Sequence, residues 1–192
     1  MKYFLILALL SLQLATAQDS ADSTESTMGS NEVRVDILSA IAYSKASLSY
    51  ERYINDDWSV GITVGFSDSD KINDDFDRGY RNSLPKYDIT PFVRYKMSNG
   101  IRNYYFVEAF VSANGGDFKE TVRRIDLDGT AFYANETSEY TDIGAGAGVG
   151  YKMYFSESFG VELLVAFGAN LLNTDKSPDT LSRVGLSLGY RF

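Results

Sequence analysis

Beyond residue 32 the chain alternates apolar and polar side chains with a period of two. Trp58, Val60, Ile62, Val64 and Phe66 alternate with Ser59, Gly61, Thr63 and Gly65. Val184, Leu186, Leu188, Tyr190 and Phe192 alternate in the same way with Gly185, Ser187, Gly189 and Arg191. This repeat is that of a strand with one apolar face, not of a helix. No run after residue 31 approaches the roughly 20 apolar residues that a spanning helix needs. Extending the pattern predicts eight strands, over about 33–43, 45–54, 58–67, 86–97, 101–114, 140–155, 159–171 and 182–192.

Taken together, the apolar positions form one consistent face. The first strand contributes Val33, Val35, Ile37, Ser39, Ile41 and Tyr43, and the fifth contributes Ile101, Asn103, Tyr105, Val107, Ala109, Val111 and Ala113. Arg52 is the one charge on this face, near a strand end where a long side chain can snorkel. The opposite face carries Arg34, Asp36, Glu51, Asp88, Arg94, Lys96, Arg102, Glu108, Lys152, Glu162, Arg183 and Arg191 among many Gly and Ser. A membrane barrel would turn the apolar face to lipid. A soluble lipocalin-type barrel would turn it inward around an apolar ligand.

Three features favour the membrane version. The connections alternate in length: 55–57, 98–100 and 156–158 are short, while 68–85, 115–139 and 172–181 are longer and polar. Aromatic residues mark strand ends, among them Tyr50, Trp58, Phe66, Tyr87, Tyr95, Tyr151, Phe155 and Phe159, as expected at a water–lipid boundary. The final strand closes on Tyr190-Arg191-Phe192. The expected fold is therefore all-β, an eight-stranded antiparallel up-and-down transmembrane β-barrel over residues 32–192. Pro91 lies inside the fourth strand and lacks a ladder donor, which predicts a bulge or weaker pairing there.

The N-terminus changes the picture of where the chain goes. Met1-Lys2 is a positive start, Tyr3 to Ala15 are almost all apolar, and Ala15-Thr16-Ala17 is a small-residue cleavage pattern. Residues 1–17 read as a secretory signal peptide, and 18–31 as a flexible polar leader that cannot bury a core. Asp19-Ser20-Ala21, Asp22-Ser23-Thr24 and Asn135-Glu136-Thr137 match short glycosylation patterns that are also common by chance.

Composition then removes chemistry. Among 192 residues there is no Cys and no His. That excludes disulfides, thiolate metal sites, cysteine nucleophiles, His-dependent triads and His-ligated zinc. A net charge of −8 gives no basic face for nucleic acid. The residues predict no catalytic, cofactor-binding or metal-ligating site and no enzyme.

The ending Val184-Gly-Leu-Ser-Leu-Gly-Tyr-Arg-Phe192 resembles the C-terminal signal read by the outer-membrane assembly machinery, with Tyr190 and Phe192 as its key positions. Arg34-Val-Asp-Ile-Leu-Ser39, Leu48-Ser-Tyr-Glu-Arg-Tyr53 and Trp58-Ser-Val-Gly-Ile62 resemble a family of small outer-membrane barrels of Bacteroides-type bacteria, similar in architecture to the OmpA and OmpX barrels. The resemblance implies an outer-membrane protein with lipid and the assembly machinery as partners.

The inward charges are the candidate site. Charges removed from water need partners. Phe155 facing Phe159 across a three-residue turn puts Lys152 opposite Glu162. Met97 facing Ile101, with Gly100 in the turn, puts Thr90 opposite Glu108. Glu51 and Arg94 extend this into a lumen network of Glu51, Arg94, Glu108, Lys152 and Glu162. An eight-stranded barrel has little free bore, so a structural role for these charges outweighs a narrow ion or solute channel. Asp68, Asp70, Asp74, Asp75 and Asp77 form an acidic loop of the kind that suits a hard cation, although it lacks the EF-hand spacing. The loop near 121–139 is the place for an extracellular ligand, displayed on a rigid barrel. The expected function is structural or surface-interacting, in the cell envelope.

Overall fold

The computed structural model describes residues 29–126, 128–129 and 131–192. The expected signal peptide and most of the expected polar leader lie outside the described residues. Eight strands follow in order: β1 (Asn31–Asp36), β2 (Lys45–Tyr53), β3 (Trp58–Ser67), β4 (Ser83–Lys96), β5 (Asn103–Ile125), β6 (Ala131–Tyr154), β7 (Phe159–Asn170) and β8 (Thr180–Arg191). Each pairs antiparallel with its sequence neighbours, and β1 pairs with β8, so the sheet closes into an up-and-down barrel. This is the expected fold class.

Sidedness follows the period-two pattern. Val60, Ile62, Val93, Tyr105, Val149, Val165 and Leu188 are exposed on the outside, while the polar partners point into the lumen. The apolar face is therefore outward, not inward as the soluble alternative requires. A ring of aromatics encircles the end that carries the short turns. Trp58 packs on Tyr95 at 5.0 Å, Tyr105 on Tyr151 at 4.8 Å and Phe159 on Tyr190 at 5.0 Å. We call this the lower end. On β6 the outward apolar band runs from Phe155 up to Ile143.

Gly146 and Gly150 on β6 face inward beside bulky rings of β5. A Cβ on Gly150 would lie 2.2 Å from the Phe106 ring, and one on Gly146 would lie 2.5 Å from Phe110. Their lack of a side chain lets two phenyl groups fill a narrow barrel.

Four expectations need correction. The predicted strand 33–43 ends at Asp36 and becomes a helix, α1 (Ile37–Tyr43). Asp36 caps it, accepting from the Ser39 N–H at 3.1 Å and from the Ser39 hydroxyl at 2.6 Å, and Ser44 terminates it in the left-handed region at φ 48°. Because β1 stops early, its pairing with β8 ends at Asp36, and the side chain of Asp36 accepts the Leu186 N–H of β8 at 3.3 Å.

The turn between β4 and β5 is longer than predicted. Met97 N–H donates to Tyr105 O, and Arg94, not Thr90, stands opposite Glu108. Ile101 and Arg102 belong to the exposed turn, so Arg102 is not a lumen residue. The shift of four residues leaves every side chain on its expected face, which is why alternation could not reveal it.

Pro91 produces no register shift. The pairing is weaker there, as expected: the ladder to β5 skips Thr90 and Pro91 between Ile89–Ala113 and Phe92–Phe110, and the bulge lies instead between Pro85 and Tyr87. The acidic segment is largely helical, α2 (Asp70–Asp77), with Arg78 3.7 Å from Asp74. The predicted loop 115–139 is mostly strand: β5 and β6 stay paired up to Ile125–Ala131. They rise well beyond the last residue that pairs β6 to β7, Gly144. At about 3.3 Å per residue, the stretch from Ala131 to Asp142 is roughly 40 Å long.

Candidate functional site

The lower half of the lumen is filled by an ion cluster. Lys152 and Glu162 stand opposite each other on β6 and β7, with Nζ to Oε2 at 3.0 Å. Lys152 also reaches Glu32 and Glu51, each at 3.0 Å, and donates to the Tyr53 hydroxyl at 2.9 Å. Arg94 is the hub. Its guanidinium meets Glu162 through two bonds at 2.7 and 2.8 Å, Glu108 at 2.8 Å and Glu51 at 2.9 Å. Two phenyl rings hold it from either side, with Cζ 4.5 Å from the centroid of Phe92 and 4.3 Å from that of Phe106.

All five residues singled out from the sequence thus meet, and three groups join them. Arg34 bonds Glu32 at 3.1 Å, Glu162 at 3.3 Å and also Glu51. Arg183 pairs with Glu108 from above. Tyr53 and Tyr154 close the base, 2.8 Å apart and both bonded to Glu32, with Tyr104 3.1 Å from Tyr53. Glu32, Glu51, Glu108 and Glu162 are matched by Arg34, Arg94, Lys152 and Arg183, so the cluster is neutral. Glu32, Glu51 and Glu162 bring carboxylate oxygens within 4.8 Å of one another. The space among them is taken by Arg34, Arg94 and Lys152, which leaves no place for a metal cation.

Above Arg94 and Arg183 the lumen is different. A cavity of about 480 Å³ is lined by Ser47, Ser49, Thr63, Thr90, Ser112 and Asn114. The Thr90 and Ser112 hydroxyls bond each other at 3.0 Å, those of Ser49 and Thr63 at 2.8 Å, and Asn114 donates to Asn170 at 2.9 Å. Higher still, Lys45 pairs with Asp88, and Lys86 with Asp117 at 2.7 Å. Tyr140 and Arg81 line the mouth of this vestibule. Burial pushes the Tyr140 phenol up to about 12, although the nearby Arg81 guanidinium pulls it down.

Just above the apolar band, Asp142 anchors the connection between β7 and β8. It accepts from Leu172 N–H and Asn173 N–H, each at 2.9 Å, from Ile143 N–H at 2.7 Å and from the Ser177 hydroxyl. Burial pushes its carboxyl up, but these donors outweigh burial and hold it below the ordinary value.

Tyr190 lies on the outer aromatic ring beside Phe159 and Phe192. Phe192 N–H donates to Asn31 O at 2.8 Å, and Asn31 N–H to Phe192 O at 2.9 Å. Sequence reading missed Glu32, because the first strand was started at Val33. It also missed the inward rings Phe92, Phe106 and Phe110, although their positions follow from the parity of the outward residues.

Fold and sidedness define a small eight-stranded up-and-down barrel with an apolar exterior and a filled polar lumen. In architecture it is similar to the N-terminal β-barrel domain of Pseudomonas aeruginosa OprF, with 16% identity, 86% of this chain and 98% of that chain covered, and a TM-score of 0.50. Neisserial surface protein A is 14% identical, with 84% of this chain and 94% of that one covered and a TM-score of 0.48. Yersinia pestis Ail is 14% identical, with 85% and 99% covered and a TM-score of 0.40. No protein-family model and no curated protein matches the chain.

Proposed function

We propose that this chain is an outer-membrane barrel with a structural and surface-interaction role, anchored by a closed wall and displaying the outer half of β5 and β6. The observation that carries the reading is the contrast between outside and inside: apolar side chains cover the wall from Trp58 to Phe66 and from Ile143 to Phe155, while paired charges fill the lumen. Strands of about 9–11 tilted residues cross a bilayer, and an apolar exterior of this extent is costly in water. The signal peptide at residues 1–17 supports export, and the ending at Tyr190 and Phe192 supports delivery to the assembly machinery. The strand sequences near 34–39, 48–53 and 58–62 support kinship with the Bacteroides-type small barrels.

The upper hairpin supports the surface role. Ile125, Phe132 and Tyr133 are exposed at its tip, and Arg124 pairs there with Glu136. Loops and extensions on a rigid scaffold are where binding residues concentrate. The lumen charges are read as structural partners rather than as acid–base groups, so no enzymatic activity is proposed.

Detergent fractionation and heat-modifiable gel mobility test the membrane reading, and recovery in the soluble periplasmic fraction would sink it. In planar bilayers the purified protein is expected to give no large stable channel. Open channels closed by charge reversal at Lys152 or Glu162 would replace the structural reading with a conducting one. Adhesion of producing cells to immobilised protein and polysaccharide surfaces is expected to fall on deleting residues 118–136 and to change little on deleting 68–85.

A further inference from the structure

Three buried polar atoms have no hydrogen-bond partner among the described residues: Arg81 Nε and Tyr140 OH at the vestibule mouth, and Ser138 Oγ two residues before Tyr140 on β6. Ser138 and Tyr140 lie on β6, and Arg81 lies two residues before β4. Ser83 pairs with Phe118, Phe118 pairs with Ser138, and Gly116 pairs with Tyr140. Tyr140 is 3% exposed, and both Tyr140 and Arg81 line the cavity. Buried polar groups elsewhere in this lumen are bonded, so a group of unpartnered ones marks a place for an absent partner.

Charge narrows the chemistry of that partner. The other cations around the cavity are answered: Lys45 by Asp88, Lys86 by Asp117, Arg183 by Glu108, and Arg94 by three carboxylates. Among the described residues no carboxylate pairs with Arg81. A guanidinium presents a fork of donors that matches a carboxylate, and a phenol adds one more donor. Below this point the wall offers the hydroxyls and amide of Ser47, Ser49, Thr63, Thr90, Ser112 and Asn114 beside the apolar Phe110, Leu164 and Leu181 and the carboxylates of Asp36 and Asp88. A volume of about 480 Å³ falls within the range of small-molecule sites.

We infer that the vestibule binds an acidic sugar, its carboxylate held by Arg81 and Tyr140 at the mouth and its hydroxyls bonded to the serine, threonine and asparagine wall beneath. The wall groups bond one another in pairs and keep further donor and acceptor capacity that sugar hydroxyls can use, whereas a bare anion would use only the mouth. The site is separate from the hairpin tip, so it stands or falls independently of the adhesion result.

The test is calorimetric titration of the full barrel in lipid nanodiscs with D-glucuronate, D-glucose and acetate. Glucuronate is expected to saturate one site per barrel, with glucose and acetate each at least about tenfold weaker. Tyr140→Phe and Arg81→Gln are each expected to weaken glucuronate by about tenfold while heat-modifiable mobility is kept. No saturable glucuronate binding would overturn the proposal. So would acetate as tight as glucuronate, or unchanged affinity in both variants. Should Arg81→Gln lose the folded barrel, Tyr140→Phe decides alone, because its hydroxyl has no partner to lose.

Discussion

The two halves of the lumen are built on the same strands and the same side-chain parity, yet one is solid and the other hollow. Below, the inward positions hold Glu51, Arg94, Phe106, Lys152 and Glu162; above, they hold Ser49, Thr63, Thr90 and Ser112. The ring of eight strands gives both halves much the same bore. What differs is the size and charge of the groups projecting into it. Long charged chains and phenyl rings span the bore and lock on one another, whereas short hydroxyls reach chiefly the adjacent strand. The wall sets the width, and side-chain length decides whether that width is closed.

The sharpest way to break the comparison is at its hub. Arg94→Leu leaves Glu51, Glu108 and Glu162 buried with one cation fewer, and removing one member of such a network costs about 3–5 kcal/mol. Urea unfolding followed by the fluorescence of Trp58 should show a loss of that order. A loss below about 1 kcal/mol would mean that water already shares the lower lumen.

At the top of the hollow half, Asp142→Asn should cost about 1–3 kcal/mol of local stability, since a charge-assisted acceptor of several donors is weakened. The effect should be read as faster hydrogen exchange at Leu172 and Asn173. The same anchor is pH-dependent. Its carboxyl is held below the ordinary value in the folded chain, so its contribution is full above the unfolded pKa of about 3.9 and fades as pH falls below that. Exchange at those amides should therefore be flat from neutral down to about pH 5 and rise under more acid conditions. Acid-independent exchange would remove Asp142 as the anchor.

The smallest effect belongs to the exposed tip. Replacing residues 122–134 by a two-residue turn should change barrel stability by no more than about 0.5 kcal/mol, because Arg123, Arg124, Phe132 and Tyr133 are exposed there. A large loss would show that the tip braces the wall.

Sequence and structure agree where one side of a strand must differ from the other. The apolar wall was legible from alternation because every position in the band meets either a lipid-like exterior or the lumen. Above the band both faces of the hairpin are wet, so Thr121 to Ile125 and Ala131 to Glu139 carry no such signal, although they are strand. The Asp36–Ser39 cap was hidden because Ile37, Ile41 and Tyr43 suit both a strand and one helical turn. Of the candidate site, the inward parity of Glu51, Arg94, Glu108, Lys152 and Glu162 was legible. The Lys152–Glu162 pair was legible as well, from the three-residue turn below it, but the partners of Arg94 and Glu108 were not, because the turn from Met97 to Arg102 hides four residues of stagger.

The early end of β1 has a mechanical consequence. A closed hoop parts at its shortest joints, and β1 is held to β8 only from Asn31 to Asp36 and to β2 only from Asn31 to Val35, while β5 and β6 are laced together from Asn103 to Ile125. Under heat or load, rupture should start beside α1. Glu32 and Arg34 reach inward from that same strand. Opening the joint therefore pulls two ions out of the lumen's filling, and the hoop and its filling come apart as a single event.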